Sequence, residues 1–326
     1  MKPARFDVTG IGNAIVDVIA HANEAFLVDH QLTKGAMRLI DSAEARSLYE
    51  KMGQAVEISG GSAGNTMAGL ASLGGKGAYV GKVADDQLGD VFAHDIQAAG
   101  VHFETRKLAG GAPTARCLIL VTPDAQRTMN TFLGACVELG PEDIEPSLIA
   151  ESQVVYLEGY LYDPPRAKAA FLKAAKLAHE AGRKVALSLS DPFCVDRHRD
   201  EFMNLVRDHV DILFANQSEI TSLYRTNTFE EAVQLTKGLV ETAALTQSEQ
   251  GSLVLHKGEV VRIAAAKVEQ VVDTTGAGDL YAAGFLYGYT RGLGAEASGR
   301  IGAIAAAEVI SHVGARPAVP LVGLLP

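Results

Sequence analysis

Asp273-Thr274-Thr275-Gly276-Ala277-Gly278-Asp279 runs straight into Leu280-Tyr281-Ala282-Ala283-Gly284-Phe285, so two carboxylates bracket a turn of small residues at the start of a helical pattern. Glycines and small side chains let successive N–H groups turn inward, and a helix N-terminus adds partial positive charge. Gly276, Ala277 and Gly278 therefore form a candidate anion hole. Asp279 by itself could be an acid favoured by the helix dipole, but that reading leaves the second flanking acid unexplained. A carboxylate beside an anion hole suits removal of a proton from an alcohol that attacks a phosphorus centre.

A second glycine-rich block, Gly60-Gly61-Ser62-Ala63-Gly64-Asn65, continues through Gly74-Gly75 to Gly81-Lys82 and Gly89. Its glycines allow a ligand close to the backbone, and Asn65 offers both a donor and an acceptor; the same residues would also make an ordinary strand-to-helix loop in which Asn65 caps its own chain. Asn216-Gln217-Ser218-Glu219 follows a strand-like run, at the end where α/β sheets bind ligands. There Asn216 and Glu219 could organise hydrated magnesium, or form a helix cap. Gly10-Ile11-Gly12-Asn13 lacks the third glycine of a dinucleotide fingerprint, and the Gly81-Lys82 pair lacks the remaining residues of a phosphate loop. Asn216-Gln217-Ser218 also matches a glycosylation acceptor, which means little in a cytoplasmic chain, and the nine histidines show no metal-ligand spacing.

These residues must be carried by an alternating framework. Phe6 to Ile11, Ala78 to Val83, Val154 to Leu157, Lys184 to Ser188, Asp211 to Ala215 and Ala243 to Thr246 read as strands. Helical patterns lie at Gly64 to Leu73, Asp86 to Ala99, Arg166 to Ala181, Phe229 to Val240 and Gly278 to Tyr289. The alternation predicts βαβ crossovers and a mostly parallel sheet covered on both faces. Ala115 to Thr122 and Arg127 to Leu133, joined by Pro123-Asp124-Ala125-Gln126, read instead as a hairpin. With Met37 to Ile40, a strand with no helix before it, they predict a small antiparallel sheet, a lid drawn from about residues 13–43 and 104–136 of a single domain spanning 1–326.

Composition narrows the ligands. With 48% hydrophobic and 21% charged residues, the 326-residue chain can bury a large core and is not disordered. A net charge of -10 argues against nucleic acid, so any anionic ligand must be held by local backbone groups against the overall field. Cys117, Cys136 and Cys194 have no CxxC spacing, which fits a reducing cytoplasm. The beginning of the chain shows no signal-peptide pattern, and no apolar run is long enough to span a membrane.

On these motifs the chain resembles the ribokinase-like (PfkB) family of carbohydrate and nucleoside kinases, over nearly its whole length. Gly60 to Gly89 resembles the family's first signature, Asp273 to Phe285 its second, Asn216 to Glu219 its NxxE element, and Gly314-Ala315-Arg316-Pro317 its closing segment near the nucleotide. The block at Gly60 to Asn65 and the start at Gly12-Asn13-Ala14-Ile15-Val16-Asp17-Val18 are closest to adenosine kinases. The resemblance implies a three-layer α/β/α sandwich with a β-sheet lid, using ATP and magnesium and no nucleic-acid or membrane partner. It makes Asp279 the base that activates a primary alcohol, foremost the 5′-hydroxyl of adenosine. It places Asn13, Asp17, Gly60, Gly61 and Asn65 on the acceptor, Asp17 meeting the ribose diol, and Asn216, Thr246, Gly251 and Thr275 on ATP. Glu219 would meet magnesium through water, and Asp273 with Thr275 would border a potassium site. Phe193 and Leu161 would line the base pocket. Ser248 departs from the family pattern, standing where its nucleotide turn usually has glycine. Rival readings are a kinase of a free sugar or of inosine, guanosine or cytidine, and a catalytically silent binder acting as a regulator. The lid could cover a monomer or join a homodimer through its strand edges.

Overall fold

The computed structural model describes residues 3–124 and 126–325; Ala125, in the turn expected between the two lid runs, lies outside the described residues. Six β-branched or aliphatic runs pair side by side in parallel in the order Thr242–Thr246, Ile212–Asn216, Lys184–Ser188, Ser152–Glu158, Phe6–Ile11 and Gly77–Val80. His102–Phe103 extends this parallel run at one edge, and Ser252–His256 and Glu259–Ile263 close the other edge as an antiparallel hairpin that the sequence pattern did not reveal.

Strand periodicity assigns the two faces. In Ser152–Glu158, Val155 and Leu157 pack with Phe171 and Phe202 from the helices Pro165–Glu180 and Pro192–His209. Val154 and Tyr156 point the other way, into a core shared with Met67 of Ser62–Ser72 and Phe285 of Ala277–Thr290. The sheet is therefore buried on both sides, and the parallel strands need apolar residues on both faces. The mixed α/β architecture is the one expected. Pro192–His209 and Ala295–Val309 are long helices beyond those expected, and Phe229–Thr236 ends short of Val240.

The smaller sheet has the order Met37–Leu39, Arg127–Phe132, Ala115–Val121, Ile15–His21 and Ala55–Ser59. It is mixed rather than antiparallel, because Ile15–His21 pairs in parallel with Ala115–Val121, as Met37–Leu39 does with Arg127–Phe132. Ala55–Ser59, outside the segments expected to build the lid, completes one edge. A helix, Glu24–Asp29, does precede Met37, and with Ser42–Tyr49 it covers one face of this sheet. Leu27, Ala45 and Leu48 pack there with Val16, Val18, Leu118 and Leu120. The alternate residues Ile15, Asp17, Ile19, Cys117 and Ile119 face the other way, toward the main sheet.

Candidate active site

Between the lid and the carboxyl ends of the parallel strands lies a cavity of about 730 Å³. Glu158, Ser188, Asn216 and Thr246, each the last residue of its strand, meet it from the main sheet. Ile15, Met37, Leu39, Cys117, Ile119 and Met129 give it an apolar roof.

The turn between the two acids sits in its wall. Gly276 has φ +80°, and a Cβ there would meet Ala315 Cα at 2.9 Å, so no other residue suits the position. At Gly278 a Cβ would meet nothing within 4 Å, so the missing side chain leaves open space for a ligand at the start of Ala277–Thr290. The N–H of Ala277, expected in the anion hole, turns back to the Thr274 carbonyl at 3.3 Å. The first-turn N–H groups of Gly278 and Asp279 have no intrahelical acceptor and stand at the helix end. Asp279 Oδ1 accepts from the Ser62 hydroxyl at 2.6 Å and Oδ2 from Asn65 Nδ2 at 3.0 Å. Burial raises the Asp279 carboxyl above its ordinary pKa, while Ser62, Asn65 and the positive charge of Arg316 oppose the rise.

Asp273 does not line the cavity; it braces the turn from behind. Its Oδ1 accepts from the Thr275 N–H (2.9 Å) and hydroxyl (2.6 Å), and its Oδ2 from Gly314 N–H (3.0 Å) and Arg127 Nη1 (2.6 Å). Burial pushes this carboxyl up, but the bonds from Thr275 and Gly314 and the Arg127 charge together hold it below the ordinary range. Arg127 belongs to the lid strand Arg127–Phe132, so the pair ties the lid to the turn. A carboxylate that already receives four donors, one of them a guanidinium, does not suit the potassium ion expected there.

Of the residues expected to meet the acceptor, Asp17, Asn13, Gly61 and Asn65 all line the cavity. A Cβ at Gly60 would come within 2.4 Å of Asp17 Oδ2, so Gly60 makes room for that carboxylate. Burial pushes the Asp17 carboxyl up to about 6, against the lowering effect of Arg127 and Arg316, with Asp279 adding to the rise. Asn13 is held by a residue that motif reading passed over: Glu158 Oε1 accepts from Asn13 Nδ2 at 2.7 Å, and Oε2 from Ala63 N–H at 2.8 Å. Glu158 is buried, and its carboxyl is pushed up to about 7 by that burial. Its place at the carboxyl end of a buried strand was the available signal. Arg316, expected near the nucleotide, turns instead toward Asn65 and Ser59. Phe193 borders the cavity and is 74% exposed, whereas Leu161 is buried in the core and does not reach it.

The opposite end holds Thr275, Thr246, Asn216 and Glu219. Asn216 caps the helix Gln217–Tyr224, accepting from Glu219 N–H, while the Glu219 carboxylate receives Asn216 N–H (2.9 Å) and Nδ2 (2.6 Å). The cap reading is thus correct, yet Glu219 also faces the cavity, where burial lifts it to about 7. Among the described residues no cluster of three metal-ligating side chains occurs. One carboxylate, phosphate oxygens and water are the usual set for magnesium, so Glu219 fits that ion. Gly251 does not reach the cavity: its φ is +85°, and it serves the turn into Ser252–His256. Ser248 adopts φ +50°, so it holds the left-handed conformation for which glycine is the usual residue.

The family model for pfkB family carbohydrate kinases matches residues 34–321. An adenosine kinase from Sinorhizobium meliloti has 56% sequence identity, with 98% of each chain covered and a TM-score of 0.91. A probable sugar kinase from Rhizobium etli CFN 42 has 54% identity, again over 98% of each chain, with a TM-score of 0.92. The adenosine kinase of Dictyostelium discoideum is 28% identical over 93% of this chain and 94% of its own length.

Proposed function

The chain belongs to the pfkB family of carbohydrate kinases, and we propose that within it the enzyme phosphorylates the 5′-hydroxyl of adenosine or a closely related nucleoside. It is an ATP-dependent nucleoside or carbohydrate kinase. The observation that carries the nucleoside reading is the contrast within one cavity. Among the described residues no group donates a hydrogen bond to the Asp17 carboxylate, and above it lies the apolar roof of Ile15, Cys117, Ile119 and Met129. A carboxylate that only accepts suits a cis-diol, and an apolar roof suits a flat base more than the hydroxyls of a free sugar.

In this reading Asn13, held by Glu158, and Asn65 orient the acceptor so that its primary hydroxyl lies against Asp279. Asp279 takes the hydroxyl proton as that oxygen bonds to the γ-phosphorus; the bond to the bridging oxygen breaks and ADP leaves. The helix N-terminus at Gly278 stabilises the charge spread over the phosphoryl oxygens. Asn216, Thr246 and Thr275 line the end of the cavity assigned to ATP. Glu219 would hold magnesium, which supplies neutralising charge to the triphosphate. The lid keeps water from taking the phosphoryl group. The lid's outer face is covered by the chain's own helices, so a homodimer through it would use its strand edges. The three cysteines are free and buried, which suits the cytoplasm.

A coupled ADP-release screen over nucleosides and sugars tests the substrate. Adenosine is expected to give the strongest signal. A strong sugar signal with no nucleoside signal would overturn the nucleoside reading, and no turnover on any acceptor would favour a silent binder.

A further inference from the structure

The segment after the last long helix touches both ends of the phosphate turn. Gly314 N–H reaches Asp273 at 3.0 Å, and two residues later Arg316 reaches the neighbour of Asp279. Arg316 is half-buried, donates from Nε to Asn65 Oδ1 at 2.9 Å, and donates from Nη2 to Ser59 Oγ at 3.0 Å. Ser59 is itself fixed, because its N–H and hydroxyl donate to Asp95 Oδ2 at 2.7 and 2.6 Å.

A side-chain amide can present either its oxygen or its NH₂ to a neighbour, and the two choices differ in consequence here. Guanidinium has donors and no acceptor, so only the amide oxygen can face Arg316. The NH₂ is then directed at Asp279 Oδ2, where it lies at 3.0 Å. With the amide reversed, its oxygen would face a carboxylate and its NH₂ a guanidinium, two repulsive contacts in a site shielded from water.

We propose that Arg316 is a positioning residue of the reaction: anchored on Ser59, it fixes the amide of Asn65 so that Asp279 keeps its donor and stays an ionised base. The proposal rests on the reading of Asp279 as the base. The titratable groups that face Asp279 and feel its charge are Asp17 from the lid, Tyr156, Glu158 and Tyr160 from the neighbouring strand and the turn after it, and Glu219 from the helix behind. On Asp279 itself burial disfavours the charge, and Arg316 is the cation that opposes it, beside the donors Ser62 and Asn65.

The test is an NMR titration of the Asp279 side-chain carboxyl carbon, identified by its disappearance in Asp279→Asn, in wild type and Arg316→Met. The midpoint should rise by about half a unit or more in Arg316→Met, since the variant loses both the nearby charge and the fixed donor. On whichever acceptor the screen selects, kcat should fall on the order of 10-fold to 10²-fold, with KM for ATP little changed. Arg316→Lys keeps the charge but cannot reach Asn65 and Ser59 together, so its midpoint and kcat should lie between the two. An unmoved Asp279 midpoint in a folded Arg316→Met would overturn the proposal, as would a rise in KM for ATP with kcat intact. Should Arg316→Met fail to fold, a wild-type midpoint and kcat in Arg316→Lys would overturn it equally. Failure of the base reading appears separately, as undiminished turnover in Asp279→Asn.

Discussion

Asp273 and Asp279 stand at the two ends of one seven-residue turn, and their surroundings are opposite. Asp273 is saturated: four protein donors, including a lid guanidinium, hold it ionised and leave it no face on the cavity. Asp279 receives two neutral donors, borders the cavity and has its carboxyl raised by burial. The same side chain is thus a brace at one end and, in the proposed mechanism, the proton acceptor at the other. The difference comes from what the lid and the C-terminal segment place beside each.

Asp279→Asn breaks this contrast at its reactive end. Turnover should fall by about 10² or more with melting behaviour retained, and near-normal turnover would remove the residue from the base role. Asp273→Asn should act on stability instead. Both partners of its ion pair are under a tenth exposed, so leaving Arg127 unpaired should cost roughly 3 kcal/mol in denaturant unfolding, and an unchanged midpoint would show that the brace is dispensable.

The raised acids give a pH signature of known sign. A carboxyl with a raised folded pKa contributes stability below its unfolded value, and that contribution is lost as pH rises through the folded one. Glu158 and Glu219, each pushed up to about 7, and Asp17, up to about 6, all act in this direction. The free protein should therefore lose several degrees of melting temperature between about pH 5 and about pH 8, and Glu219→Gln should flatten that slope. An identical slope in the variant would show that Glu219 is not one of the groups responsible. The smallest expected effect is a null one: with Arg127 on Asp273, rates in potassium and in a bulky organic cation should agree within about twofold. A severalfold loss without potassium would mean that a cation enters beside Asp273 despite the guanidinium.

The parallel framework was readable because buried strands are short β-branched runs and the helices between them carry a 3.6-residue pattern. Elements whose pattern is broken were harder. Pro192–His209 is rich in charge and departs from helical geometry at His198, so its apolar stripe is interrupted. Ala55–Ser59 sits at a sheet edge and alternates weakly, and it was found only by its pairing with Ile15–His21. Within the site, Asp279, Gly276, Gly278 and Asn65 lie in local motifs whose spacing is itself the signal. Glu158 lies in no such spacing, and the motif around Arg316 pointed to the nucleotide rather than to Asn65, because their partners are 145 and 251 residues away in sequence.

By itself, then, the sequence determined the turn: glycine at Gly276 and Gly278, small residues between, an acid at each end, and a helix start to carry partial charge. These follow from backbone sterics and the helix dipole, which act over a few neighbouring residues. Only the tertiary structure decided which acid would be neutralised by Arg127, which would face an open cavity, and which way the Asn65 amide would point. Desolvation and hydrogen-bond direction depend on every group within a few ångströms, and folding draws those groups from distant parts of the chain.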